Sequence, residues 1–482
     1  MSLKQKTLQG VSSKFVARIV NSVIQFAFGV VLARLLTSEE YGLVGMLAIF
    51  VAFADTFVSS GFSEALIRKK EPSPEDYSTI FWLNIGTAAF FYLVFFFSAQ
   101  SISDFFNEPS LTEILVVLNL VILIDAMGVV PHIPLIKQMR FKEIAQIDVL
   151  SNAVAGAGAI TLALMGYGVW SLVWKRIIAS ALKTIAFNLK SNPNIEWAFS
   201  RSSFKELFAF SWKLTASRLL NEVYQNIYYL IIGKFFSAHQ LGLFSRANNY
   251  KRMPSIILIQ VATQVSLPVL AEIQDDNQRL KSVYQRMLRV LTYVSFPVIL
   301  GLGATADHFI IGLIGEKWAG AIPYLQLLCL SELLRPLIAT NLNVLVIKGR
   351  SDLYLTYTFF SKLFAIPVVL IGIFYGIIPM IIGMIAIAVV DYVIASYWMS
   401  SLINYSLLEQ LGDILPITLL GLLIGGLMML TGTFFNLPHL AILAIQCLVG
   451  LAVLLLVSEL LKMAPYLELK AIVINRLKKY RR

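Results

Sequence analysis

The chain has 482 residues, of which 58% are hydrophobic and only 14% charged, with a formal net charge of +11 and a mean hydropathy of +0.76. A water-soluble chain carries about 25% charged residues, so this composition excludes a soluble globular protein and points to a polytopic membrane protein. Cys329 and Cys447 lie in apolar runs, and His132, His239, His308 and His439 are scattered without ligand spacing, so neither a disulfide framework nor a metal site is expected.

Apolar runs of membrane-spanning length predict fourteen helices, over 12–36, 41–66, 78–100, 111–133, 145–166, 168–189, 207–236, 240–268, 287–311, 320–347, 353–374, 376–400, 414–434 and 439–461. The first run is longer than a signal-peptide core and lacks a small-residue cleavage site, so it reads as a span and not as a cleavable leader. Helices are expected throughout, because lipid offers no partner for free backbone groups and the alternation of a β-barrel is absent. The connecting loops differ in charge. Cations follow span two (Arg68, Lys69, Lys70), span four (Lys137, Arg140, Lys142), span six (Lys190, Arg201, Lys205), span eight (Arg279, Lys281, Arg286) and span ten (Lys348, Arg350). The odd-numbered loops carry only Lys317, and the tail "NRLKKYRR" is basic. The positive-inside rule then places both termini and the even loops in the cytoplasm. This charge suits an anionic leaflet and leaves no role for nucleic acid.

The chain repeats itself at a separation of 200 residues. "LARLLTSEEYGL" at 32–43 faces "IGKFFSAHQLGL" at 232–243, and Arg18, Asn21, Val23, Gln25, Gly42 and Leu43 recur as Arg218, Asn221, Val223, Gln225, Gly242 and Leu243. Polar identities of this kind are not expected from apolar composition. The expected fold is therefore all-α, with two six-helix lobes related by a pseudo-two-fold axis along the membrane normal and a further C-terminal helix pair. The predicted boundaries are 1–190 for the first lobe, 191–206 ("SNPNIEWAFSRSSFKE") for a cytoplasmic linker, 207–400 for the second lobe, 401–461 for the pair and 462–482 for the basic tail.

Arg18, Asn21 and Gln25 share one helical face with Lys14, and Arg218, Asn221 or Glu222 and Gln225 share another. A cation at the bilayer centre costs about 2.5–3.5 kcal/mol on insertion scales, so such stripes favour a wet cavity over lipid. Two other readings stay open: Lys14 snorkelling to the interface, and Arg218 pairing with Glu222 one turn away. Span eight adds Arg246, Lys251 and Arg252 in "SRANNYKRMP", where Pro254 is expected to break the helix locally, unless this segment is an extended loop. Cations of this number suit an anion. Among the acids, Asp55 and Glu222 are candidates for H⁺ or Na⁺ coupling or for pairing with a cavity arginine, and Glu332 is expected to pair with Arg335 three residues on. Tyr224, Tyr228, Tyr229 and Tyr250 are placed either to stack on sugars or to pack in the core.

"LARLLTSEEYGL", "FADTFVSSGFSEALIRKKE" (53–71), "TIFWLNIG" (79–86), "LPVLAEIQDDNQRLK" (267–281) and "IGEKWAGAIPYLQLLCLSELLR" (314–335), in this order and spacing, resemble the polysaccharide-flippase branch of the multidrug/oligosaccharidyl-lipid/polysaccharide exporter superfamily. The similarity is strongest to the colanic acid and teichuronic acid exporter group and covers roughly 1–400. It implies a flippase of the bacterial inner membrane that moves undecaprenyl-diphosphate-linked repeat units by alternating access for surface polysaccharide synthesis. It also implies membrane lipids, a polymerase and a chain-length regulator as partners. On the residues, the diphosphate meets Arg18 and Arg218 and leaves past Arg246 or Arg252, with Lys251 as a further cation. A peptidoglycan-precursor flippase or a multidrug exporter of the same superfamily shares the architecture. A polymerase or ligase is disfavoured, because no outer loop gathers catalytic groups and no Walker, His-Glu-x-x-His or nucleophile-elbow motif is present.

Overall fold

The computed structural model describes residues 20–59, 61–191 and 193–480. Its helices are α1 (Val20–Leu35), α2 (Ser38–Ser59), α3 (Phe62–Arg68), α4 (Pro74–Phe106), α5 (Leu111–Leu118), α6 (Leu120–Lys137), α7 (Phe141–Leu164), α8 (Trp170–Lys190), α9 (Arg201–Phe235) and α10 (Ala238–Glu272). They continue as α11 (Asn277–Ala304), α12 (Ala306–Ile314), α13 (Ile322–Glu332), α14 (Arg335–Ile347), α15 (Ser351–Leu363), α16 (Ala365–Tyr375), α17 (Ile377–Ile403), α18 (Leu407–Phe434), α19 (His439–Leu460) and α20 (Ala464–Tyr480). No strand occurs among the described residues. Ten helical stretches are long and apolar enough to cross a membrane. The other four expected spans coincide with α1, α8, α9 and α10, which are shorter or more polar.

Several helix starts are legible in local chemistry. Ser73 caps α4 and exchanges bonds with Asp76 in a capping box, with Pro74 at the first helical position. Ser406 and Glu409 do the same for α18. Before α2, the Thr37 hydroxyl accepts from Glu40 N at 3.3 Å and the Glu40 carboxylate accepts from Thr37 N at 2.7 Å. Two hundred residues on, Ser237 accepts from Gln240 N at 3.2 Å. Part of the repeat is thus a pair of matched helix caps.

The chain divides into two compact units, Met1–Gly242 and Leu243–Arg482. In the first unit α9 packs along α2 and also touches α3 and α4. The first residues of α10 cross the start of α2. A Cβ on Gly42 would lie 1.8 Å from Ala238 O, and one on Gly242 would lie 1.7 Å from Ser38 O. The two contacts are reciprocal under the offset of 200, so the repeated Gly-Leu marks a crossing that only glycine permits. The Ser38 hydroxyl meets His239 Nδ1 at 2.6 Å beside it. The segment after Ser191 lies on α4: Glu196 N donates to Ser78 Oγ at 2.8 Å, Ser200 N donates to Thr79 Oγ1 at 2.9 Å, and the Trp82 and Trp197 rings stack at 4.0 Å.

The second unit is held by a cluster that includes Tyr284, Leu288, Phe296, Leu337, Met399 and Tyr405, all buried. Buried polar groups inside it are paired, as low dielectric requires. Tyr284 donates to Asn341, Asn341 donates to Ser396 Oγ at 2.8 Å, and Tyr392 donates to Gln410 at 3.2 Å. The expected span 320–347 is two helices, α13 and α14, with Pro336 in the first turn of the second.

Two cations of the even loops also have fixed structural partners. Lys137 donates to the Lys69 carbonyl and to Lys70 O at 3.2 Å, closing the turn after α3. Lys348 donates to the Gln274 carbonyl and to Asn277 Oδ1 at 2.6 Å, closing the turn after α10. Lys69 itself bridges Asp76 at 2.9 Å and Glu206 at 3.1 Å, and the bond to Asp76 raises its pKa above the ordinary lysine value.

Candidate functional site

Two guanidiniums of the first unit lie in mid-helix and are held by carboxylates from other helices. Arg218 on α9 reaches Glu64 on α3, Nη2 to Oε1, at 2.6 Å, with 47% of its side chain exposed. The chain can present Glu64 because it breaks at Gly61, which takes φ +74° where a Cβ would lie 2.6 Å from Ser211 O. Gly61 N then donates to Glu64 Oε2 at 2.9 Å, so Glu64 caps α3 with one oxygen and holds Arg218 with the other. The partner is therefore not Glu222, the local pairing the sequence left open. Glu222 instead accepts from Asn226 Nδ2 at 3.3 Å. Span two, expected to be continuous over 41–66, is divided into α2 and α3 by the same break.

The second guanidinium, Arg176 on α8, was not singled out from sequence. Its Nη2 lies 3.1 Å from Asp55 Oδ2 on α2 and 3.4 Å from Asp125 Oδ2 on α6, and its side chain is 50% exposed. Ser180, one turn along α8, donates to the other Asp125 oxygen. One cation thus faces two carboxylates from two other helices. The signal was present in the sequence as "WKRI" within an otherwise apolar run at 174–177.

Arg18 and Lys14 lie outside the described residues. Asn21 accepts from Asn152 Nδ2 on α7 at 3.1 Å, while Gln25, Asn221 and Gln225 are exposed. In the second unit, α10 runs unbroken through Pro254, so neither the expected local break nor a loop over 245–254 is present. Lys251 and Glu332 are buried and pair at 3.1 Å, with 7% and 10% of their side chains exposed. Lys251 also reaches Ser331 Oγ at 3.3 Å. Glu332, expected to pair with Arg335 three residues on, also takes a partner on a helix distant in sequence. Arg246 is half-buried, Arg252 exposed, and Tyr228 and Tyr250 are buried. Tyr250 packs edge-on against Phe309 at 5.2 Å. No group of three or more His, Cys, Asp or Glu residues that would hold a metal occurs among the described residues.

Chemically, these sites offer exposed donor forks on a low-dielectric background. Each is held by carboxylates that an incoming oxyanion would have to displace.

Known proteins agree with this architecture. The chain is similar to the lipopolysaccharide biosynthesis protein WzxC of Escherichia coli (strain K12), 28% identical over 380 residues that make up 77% of this chain and 76% of that protein. It is similar to the teichuronic acid biosynthesis protein TuaB of Bacillus subtilis (strain 168), 28% identical over 73% of each chain. The succinoglycan biosynthesis transport protein ExoT of Rhizobium meliloti (strain 1021) is 25% identical over 64% of this chain and 63% of that one. Among solved structures, the lipid II flippase MurJ in its inward closed conformation superposes with a TM-score of 0.77 at 14% identity, over 94% of this chain and 98% of that one. A multidrug-resistance MATE transporter of the MOP superfamily, inward-facing, gives a TM-score of 0.61 at 14% identity, over 80% and 96%. At these identities the structural likeness speaks for the fold, and it is the all-α multi-pass fold expected from sequence. Residues 31–323, from α1 into α13, match the family described as "Polysaccharide biosynthesis protein", and the chain belongs to that family.

Proposed function

We propose that this chain is the flippase that carries undecaprenyl-diphosphate-linked oligosaccharide repeat units across the bacterial inner membrane during synthesis of a capsule, exopolysaccharide or O-antigen. The observation that carries this reading is the pair Arg176 and Arg218, each about half exposed within helices of a membrane protein (50% and 47%) and each held by carboxylates from other helices. A guanidinium keeps its charge at every physiological pH. Its exposure in a span therefore requires water or an anion beside it. A diphosphate supplies two such anionic groups, while the polyprenyl tail stays in lipid. The family, and relatives named for surface-polysaccharide synthesis and transport, point the same way.

The same proposal places both termini in the cytoplasm, has Arg18 join Arg218 at the diphosphate, and assigns H⁺ or Na⁺ coupling to Asp55 or Glu222. A polymerase and a chain-length regulator are the proposed partners. The test is deletion of the gene followed by analysis of lipid-linked sugars. Polysaccharide repeat units should accumulate on the cytoplasmic face and be cleared by the wild-type gene. The MurJ-like fold gives a second reading, a peptidoglycan-precursor flippase. An accumulating lipid that carries peptidoglycan sugars would select it.

A further inference from the structure

Away from these arginines, the second unit encloses a polar cavity of about 190 Å³ between α11 and the start of α20. Ser282, Gln285, Arg286 and Arg289 line one side, and Pro465 and Glu468 in the first turns of α20 line the other. The 17-residue α20 is fixed here by apolar contacts of Met463, Tyr466 and Leu469 with the Tyr293 and Ile417 cluster, and by Lys470 to Glu459 at 2.6 Å.

The two arginines are only partly used. Arg286 meets Glu468 through Nε at 2.8 Å, which leaves its outer nitrogens free of ion pairs among the described residues, and its side chain is 64% exposed. Arg289 meets Asp413 through one Nη at 3.1 Å, while its Nε is buried and has no hydrogen-bond partner. Asp413 is in turn shared with Tyr405, whose hydroxyl donates to it at 2.6 Å. Ala464 and Pro465, the first residues of α20, line the same space, at the positive end of that helix.

We infer that the cavity binds a phosphate group, supplied either by the headgroup of an anionic phospholipid or by free phosphate. Two arginine forks, an amide side chain and a helix N-terminus converge on it, and the single lining carboxylate, Glu468, occupies Arg286 when the site is empty. This site is independent of the flippase reading, since none of its residues belongs to the proposed substrate contacts.

The full-length protein in neutral detergent is titrated separately with short-chain phosphatidylglycerol, short-chain phosphatidylcholine and inorganic phosphate, and its thermal midpoint is followed. Phosphatidylglycerol or inorganic phosphate should raise the midpoint saturably, and phosphatidylcholine should not. A response to phosphatidylglycerol alone identifies a lipid site; a response to inorganic phosphate identifies a site for the small anion. Arg286→Gln should weaken the apparent Kd about tenfold, the loss of one charge-assisted contact. Glu468→Gln, which removes the competing carboxylate with nearly the same shape at this half-buried position, should tighten it several-fold. The inference is overturned if neither phosphate probe shifts the wild-type midpoint, or if both variants titrate as the wild type does.

Discussion

Arg176 holds a full charge between two carboxylates. Removing it would leave Asp55 and Asp125 facing each other without a cation, which is costly in low dielectric. Arg176→Gln is therefore expected to abolish complementation of a deletion strain. Arg218→Gln should do the same while leaving expression and membrane insertion normal, because Arg218 is half exposed and pairs with Glu64, itself 36% exposed. Export assays with quantified protein levels check both. Full complementation by the two variants would end the proposal that these arginines hold the diphosphate. The Lys251–Glu332 pair behaves differently. It is buried on both sides, so Lys251→Ala should lower stability by about 3–5 kcal/mol by stranding Glu332, with detergent thermal unfolding as the readout.

Helix starts and crossings fix where those charges sit. The Gly42 and Gly242 crossing leaves no volume for a methyl group, since each Cβ would overlap a backbone carbonyl that cannot swing away. Gly42→Ala or Gly242→Ala should cost at least the 1–3 kcal/mol typical of overpacking, roughly, and yield less folded protein by size-exclusion chromatography. A surface change such as Gly426→Ala, where a Cβ meets nothing within 4 Å, should be silent. The lysine clamps act at the same scale. Lys137 and Lys348 each tie one even-numbered loop to the even-numbered loop before it, so basic residues that read as topology signals are also structural clamps. Lys348→Ala should lower the thermal midpoint through lost charge-assisted bonds, each worth about 1.5–3 kcal/mol. Restoration by Lys348→Arg would separate loss of charge from loss of geometry.

At the scale of the whole molecule, the charge asymmetry of the loops predicts an orientation. Cysteine introduced at Glu39 should react with an impermeant maleimide from outside, and cysteine introduced at Asp276 only after permeabilisation. The reverse pattern would overturn the assignment of cytoplasmic termini. The membrane class, the helical fold and ten of the span locations were legible in the sequence, because burial in lipid demands long apolar runs with internally satisfied backbones, a one-dimensional requirement. The repeat was legible too, although its meaning was not. Matching Gly-Leu and cap residues were visible as letters, but only the packed helices show that they make one reciprocal crossing and a pair of caps.

The partners of the charges were decided by tertiary structure alone. Sequence proximity suggested Glu222 for Arg218, yet the bond runs to Glu64, 154 residues away, and Glu332 gains Lys251, 81 residues away, which no local spacing indicates. Arg176 went unnoticed because its acids come from α2 and α6. Hydrophobic periodicity reports which residues a helix hides from water. Ion pairing depends on which helices become neighbours, and that is settled by shape, by glycine contacts and by breaks such as the one at Gly61, none of which the periodicity of a single helix contains.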